Sequence, residues 1–418
     1  MVRTLLRGAG VFLAAVALWA DGNFALHRGD TVVFYGDSIT DQRLYTTFVE
    51  TFAVTRFPQL QVRFIHSGWG GDRVSGGGGG PIDLRLRRDV FPFKPSVVTI
   101  MLGMNDGGYR PYDAELFTRY STGYENIVQA IKTASPGVRI TAIKPSPYDD
   151  ITRPPKFEGG YNAVLLRYSQ FLQQLAAKEN LTLSDFNGPV VEMLRKAHAT
   201  DPETSEKILP DRVHPGPGGH LIMAEQLLKS WNAPSVVSDV EIDAASGHIA
   251  HATNAEVTGV ETKNGLRWSQ TDRSLPMPIN WKDETLALAV HSSDFVDALD
   301  RQMLKVTSLP AGTYTLNIDG SPAGSFSSQD LANGINLVNY PTPMMEQAAE
   351  VHALTLKHNN IHFARWRTVQ TPLDGSGFDT AQAESSLDAL EDQVITAQRV
   401  AAQPKPHHFE LVGTAPQG

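Results

Sequence analysis

Three residues of this chain have the types and spacing that acyl chemistry by a serine nucleophile needs: Ser38, Asp211 and His214. Ser38 follows Val32-Val33-Phe34-Tyr35-Gly36-Asp37, a buried-strand pattern that Gly36 breaks just before a helix near Thr40. A serine on such a turn points its hydroxyl out of the carboxyl edge of a sheet, with its own N–H at a helix N-terminus where an oxyanion is favoured. Far downstream, the three-residue offset of Asp211…His214 in Pro210-Asp211-Arg212-Val213-His214-Pro215 lets a carboxylate accept from one imidazole nitrogen while the other faces a serine. Each piece has a plainer explanation on its own. Gly-Asp-Ser is common turn and N-cap chemistry, and Asp…His can be half of a metal site, although no nearby spacing supplies further ligands.

Two other stretches could stabilise negative charge. His66-Ser67-Gly68-Trp69-Gly70-Gly71-Asp72-Arg73 is glycine-rich, so a backbone N–H there can approach a ligand closely. Gly103-Met104-Asn105-Asp106 carries an amide side chain able to donate to an oxyanion, and a plain turn explains it equally well in isolation. The run Gly76 to Gly80 reads as a flexible loop, and without a following Lys-Ser/Thr it is not a phosphate loop.

These residues need a scaffold, and the chain supplies one. Val32–Tyr35, Val62–Ile65, Val97–Leu102, Val138–Ile143 and Leu181–Phe186 read as five strands. Helical stretches at 41–56, 82–90, 114–133 and 162–178 alternate with them, and 216–231 closes the series. Strict alternation predicts right-handed crossovers and a parallel sheet covered on both faces, with ligands beyond the carboxyl ends of the strands. The chemically suggestive residues follow strands directly.

Taken together, the blocks Gly36-Asp37-Ser38-Ile39, Gly68-Trp69-Gly70-Gly71, Gly103-Met104-Asn105-Asp106 and Asp211-Arg212-Val213-His214-Pro215 resemble the SGNH, or GDSL, hydrolase superfamily over residues 30–232. The resemblance implies a three-layer α/β/α, flavodoxin-like fold with Ser38 as nucleophile, His214 as base and Asp211 as its orienting acid. It further implies an oxyanion hole made of the Ser38 N–H, the Gly71 N–H and the Asn105 side chain, with no metal and no cofactor. His66 departs from the family pattern, whose second block often starts with Asn. No Gly-x-Ser-x-Gly surrounds Ser38, so the α/β-hydrolase elbow is a poorer match.

At 418 residues the chain exceeds one ordinary core, and its net charge of -9 argues against nucleic acid or an anionic membrane as partner. It has no cysteine, which excludes disulfides and thiolate sites. Residues 1–25 read as a secretory leader, with Arg3 and Arg7 ahead of an apolar run from Gly8 to Ala20 that is too short to span a bilayer. The expected organisation is a leader at 1–25, a hydrolase domain at 28–232, a β-rich accessory domain at 235–370 and a helical, flexible tail at 371–418. Strands are expected at Val236–Ile242, Val257–Glu261, Leu286–Val290, Leu304–Thr307 and Thr313–Ile318, with Asp319-Gly320 as a hairpin turn. Helices are expected at 343–358 and 379–402, and Arg365-Trp366-Arg367 as a structural cluster that could also stack.

The functional expectation is an exported, periplasmic or extracellular serine esterase that removes small acyl groups, acetyl being favoured, from a carbohydrate or another small ester. Trp69, Tyr109, Tyr112 and Tyr148 are candidates to stack on a sugar ring. The rival readings are a lipase, lysophospholipase or thioesterase, a sugar acyltransferase using the same residues, and a carbohydrate-binding protein with a vestigial site.

Overall fold

A computed structural model describes residues 24–263 and 265–413; the leader read at 1–25 lies almost wholly outside them. Five parallel strands, β1 (Thr31–Gly36), β2 (Arg63–Gly68), β3 (Val97–Met101), β4 (Arg139–Lys144) and β5 (Thr182–Asp185), form one sheet in the order β2-β1-β3-β4-β5. That is the doubly wound order in which the crevice opens beside the first strand. Its central strands are apolar on both faces because helices cover both. The covering helices are α1 (Ser38–Asp41), α2 (Leu44–Arg56), α3 (Ile82–Asp89), α4 (Ala114–Ala134), α5 (Gly160–Glu179), α6 (Gly188–Thr200) and α7 (Pro217–Ser230).

Register decides where the chemistry lies. Gly36 at the end of β1 pairs with Gly68 of β2 on one side and Met101 of β3 on the other. The segments that follow, with Ser38, Gly71 and Asn105, therefore leave the sheet side by side. Space there is tight: a Cβ on Gly36 would lie 2.2 Å from Thr40 Oγ1, and one on Gly68 would lie 2.2 Å from the Asp41 amide nitrogen. The expected helix from Asp41 is broken at Arg43, whose φ is 59°, separating the short serine turn from α2.

The second half holds two sheets. One pairs β6 (Val236–Asp243) with β7 (Ile249–Thr253) and, in parallel, with β10 (Arg301–Thr307), which also meets the two residues Ile335–Asn336. The other runs β8 (Ala255–Glu261), β9 (Leu266–Asp272), β13 (Pro406–Gly413), β11 (Thr313–Ile318) and β12 (Ser321–Ser327). Val240, Ile242, Leu304 and Val306 from one sheet share a buried cluster with Trp268, Leu316, Ile318, Phe409 and Leu411 from the other. Asp319-Gly320 joins β11 to β12 with positive φ at both positions, as a two-residue hairpin requires.

In this half two stretches differ from expectation. Leu286–Val290 is helical, within α8 (Glu284–His291): Asp283 caps the Thr285 and Leu286 amides at 3.0 and 3.1 Å, and Leu286, Ala289 and Val290 bury one face against α7. A five-residue run is too short for its alternation to outweigh a cap and a docking surface. Residues 406–413, expected within a helical and flexible tail, form β13, the middle strand of its sheet. His407, Phe409 and Leu411 are buried with exposed or half-buried neighbours between them, a period of two that Pro404 and Pro406 obscure.

The helices α9 (Pro343–Phe363) and α10 (Ala381–Ala401) pack on α2 through buried charge. Glu50 bonds His66 at 3.3 Å, His358 and Gln398, while Glu391 faces His358 at 3.5 Å and His362 at 3.7 Å. Burial opposes every charge here, but the mutual attraction outweighs it, holding Glu50 down at about 2 and lifting His358 to about 9. His66 is pushed down to about 4, chiefly by burial, so it is neutral. The departure at His66 thus anchors a helix pair.

Candidate active site

Ser38 opens the α1 turn with Asp37 as N-cap, whose Oδ1 accepts from the Ile39 amide at 3.0 Å. Burial, with Asp106 and Asp72 nearby, pushes the Asp37 carboxyl up to about 8. The structure brings His214 to the serine across 176 residues of sequence: Nε2 lies 2.7 Å from Ser38 Oγ, and Nδ1 lies 2.7 Å from Asp211 Oδ2. The other Asp211 oxygen accepts from the amides of Val213 and His214 at 2.9 and 2.7 Å. Partial burial raises the Asp211 carboxyl, but those amides and the imidazole prevail and hold it below its ordinary value. The group is nonetheless open to water, with 55% of the Asp211 side chain exposed. Arg212, at φ 73°, holds the turn by donating to the carbonyls of Asp149 and Pro154 at 3.1 and 2.9 Å.

The candidate oxyanion donors stand on the neighbouring strand ends. The Trp69 amide donates to the Gly36 carbonyl at 3.0 Å, tying the glycine loop to the serine turn. Gly71 is exposed with φ 77°, a conformation that favours glycine. Asn105 is buried; one amide hydrogen goes to the Asp72 carbonyl at 3.0 Å, and Oδ1 accepts from the Tyr109 hydroxyl at 2.8 Å. Among the described residues its other hydrogen meets no acceptor. A groove of about 700 Å³ opens beside Asn105, and Arg73, Arg110 and Arg119 line it. Among the described residues no group of three or more His, Cys, Asp or Glu could hold a metal ion. The arrangement can deprotonate a serine hydroxyl and stabilise a tetrahedral oxyanion, which is acyl-transfer chemistry.

Residues 34–222 match the model of the GDSL-like lipase/acylhydrolase family. The chain carries a GDSL-like hydrolase domain. It is a carboxylic ester hydrolase. An acetylxylan esterase of Geobacillus stearothermophilus is 25% identical over 224 residues, covering 48% of this chain and 93% of that protein. The solved structure of a gut microbial diltiazem-metabolizing enzyme superposes with a TM-score of 0.81 at 23% identity, covering 93% of this chain and 98% of that one. The fold is therefore shared with it across both halves.

Around the GDSL-like site three expected stacking tyrosines have other surroundings, and Arg85 and Asp41 take places that the sequence did not announce. Tyr109, expected to stack on a sugar, orients Asn105 from four positions further on, although its ring is still 43% exposed. Tyr148 is buried and packs on Tyr109 and Tyr161, so it is core. Tyr112, 39% exposed, lies under Arg167. Arg85 is wholly buried beneath the glycine loop; it bonds Asp72 at 2.7 Å, the Ser67 carbonyl at 2.8 Å, and Asp89. Asp41 accepts from the Gly70 amide at 3.1 Å, a contact between two strand ends that no sequence spacing announces.

Proposed function

We propose that the protein is an exported serine esterase that removes short acyl groups, acetyl above all, from a carbohydrate. Ser38 attacks the ester carbonyl while His214 takes its proton. His214 then protonates the departing alcohol, and water delivered through the same imidazole releases the acid from the acyl-enzyme. Asp211 keeps the imidazole tautomer that leaves Nε2 free to accept. The Ser38 and Gly71 amides and the Asn105 side chain receive the oxyanion.

The observation that carries this reading is the unbroken run Asp211 Oδ2 to His214 Nδ1 and His214 Nε2 to Ser38 Oγ, 2.7 Å at each step. The similarity to an acetylxylan esterase supports an acetylated sugar as substrate. The leader read at residues 1–25 supports export, and among the described residues no helix is long and apolar enough to cross a membrane.

The test is acetate release from acetylated xylo-oligosaccharides beside 4-nitrophenyl esters from acetate to decanoate. The proposal expects release from the sugar and the highest kcat/KM on acetate. Activity rising with chain length, without sugar deacetylation, would move the substrate to lipids.

A further inference from the structure

The loop that carries Gly71 is pinned on either side of its two glycines, at Trp69 by the Gly36 carbonyl and at Asp72 by Asn105 and Arg85, and a segment nearly 300 residues downstream adds a hold on the glycines' own side. After α9 the backbone winds into a π-helical turn, Ala364–Gln370, well beyond the family match that ends at residue 222. Trp366 is buried from this turn, donating to Asp89 Oδ1 at 2.6 Å and meeting Trp69 edge-on at 5.6 Å. The Arg367 guanidinium sits over Trp69, 3.5 Å from the centre of its ring. Its Nη1 donates to Asp41 Oδ1 at 3.3 Å and to the Gly68 carbonyl at 3.4 Å. Asp41 in turn uses Oδ2 to accept from the Gly70 amide.

One cation thus touches the residue before the two glycines, the carbonyl before that, and the carboxylate that holds the first glycine's amide. Gly70 and Gly71 are exposed, and among the described residues the Gly71 amide meets no acceptor. An oxyanion donor is effective only if its direction is fixed before the charge develops. Glycine backbone does not fix itself.

We propose that Arg367 is a positioning residue for ester hydrolysis, and that the C-terminal π-helical turn completes the oxyanion site of the N-terminal domain by fixing the Gly70–Gly71 peptide. This rests on the serine mechanism proposed above. Arg367 touches no reacting atom; it acts through Trp69, Asp41 and Gly68. Lysine in its place keeps a charge for Asp41 but lacks the planar fork that can stack on Trp69 and reach Gly68 at once.

The experiment compares wild type, Arg367→Ala, Arg367→Lys and Ser38→Ala in the full chain on 4-nitrophenyl acetate, with active sites counted by titration with a fluorophosphonate. Alongside, inhibition by a boronic acid, which forms a tetrahedral anion on the serine, reports on the oxyanion site directly. Arg367→Ala is expected to lose about 10- to 100-fold in kcat per titrated site with KM within about twofold, and to bind the boronic acid correspondingly worse. Arg367→Lys is expected to fall between, and it is the informative variant if the alanine form does not fold. Arg367 variants with wild-type kcat per titrated site and unchanged boronic acid inhibition overturn the proposal, even if their melting temperature drops, because that marks a purely structural contact. Full activity in Ser38→Ala would instead sink the serine mechanism itself.

Discussion

The Tyr109 hydroxyl donates to Asn105 Oδ1 at 2.8 Å, and this bond reinforces the amide orientation that the Asp72 carbonyl selects. With oxygen committed to Tyr109 and one hydrogen to the Asp72 carbonyl, the remaining N–H has one direction left. Asn105→Ala is expected to lower kcat by about 10²–10³, the usual effect of losing one oxyanion donor. Tyr109→Phe keeps the donor but frees it to flip, so a loss of about tenfold with little change in KM is expected. Steady-state kinetics on 4-nitrophenyl acetate checks both, and an unaffected Tyr109→Phe enzyme would show that Asp72 alone orients the amide.

Asp211 divides its oxygens, one on two backbone amides and the other on His214. Asn at this position would keep its oxygen on the amides and turn its NH2 toward Nδ1. The imidazole would then carry its proton on Nε2, where Ser38 needs an acceptor. Asp211→Asn should therefore be the worse variant, losing about 10³–10⁴ in kcat, while Asp211→Ala leaves the tautomer free and loses less. An alanine variant no more active than the asparagine one contradicts this assignment.

Glu50 and His358 bind the C-terminal helices to α2, and their contribution has a pH window. His358 is raised from 6.5 to about 9, so the stability it adds is complete below 6.5 and is lost as pH climbs through about 9. Glu50 is lowered from 4.5 to about 2, so its share is complete above 4.5 and is lost as pH falls through about 2. The melting temperature of the wild type should thus fall on the alkaline side of 6.5. His358→Gln should be destabilised by roughly 3–5 kcal/mol at pH 6, since it strands buried carboxylates, and should show a flatter alkaline limb. Parallel melting curves for the two proteins across pH 6 to 9.5 would refute it.

Gly68→Ala sets a steric test of the strand-end geometry, because the added Cβ would sit 2.2 Å from the Asp41 amide nitrogen. Overpacking of this kind typically destabilises by about 1–3 kcal/mol. Since the strain falls on the Ser38 helix, activity should drop more than the melting temperature suggests. Loss of stability with kcat intact would place the strain elsewhere.

The sheet and the grouping of Ser38, Asp211 and His214 were legible in the sequence because each rests on local signals: apolar runs ended by glycine for the strands, and short-range offsets such as Asp211…His214. What could not be read is contact between distant segments. Asp41 to Gly70, Arg367 to Trp69 and His66 to Glu50 join stretches whose residues are ordinary turn, surface or core types until the fold sets them together. The helix at Glu284–His291 and the central strand at Pro406–Gly413 were misjudged for a related reason. A capping aspartate and the docking face on α7 decide the first, and the gap between β9 and β11 decides the second.

The most direct measurement is the fate of Ser38. In Ser38→Ala, 4-nitrophenyl acetate turnover is expected to fall by about 10⁶, with the melting temperature within a few degrees of wild type. A fluorophosphonate is expected to add to wild type at Ser38, located by peptide mass, and not to the variant. Turnover surviving in Ser38→Ala, or the label found on another residue, would contradict the account.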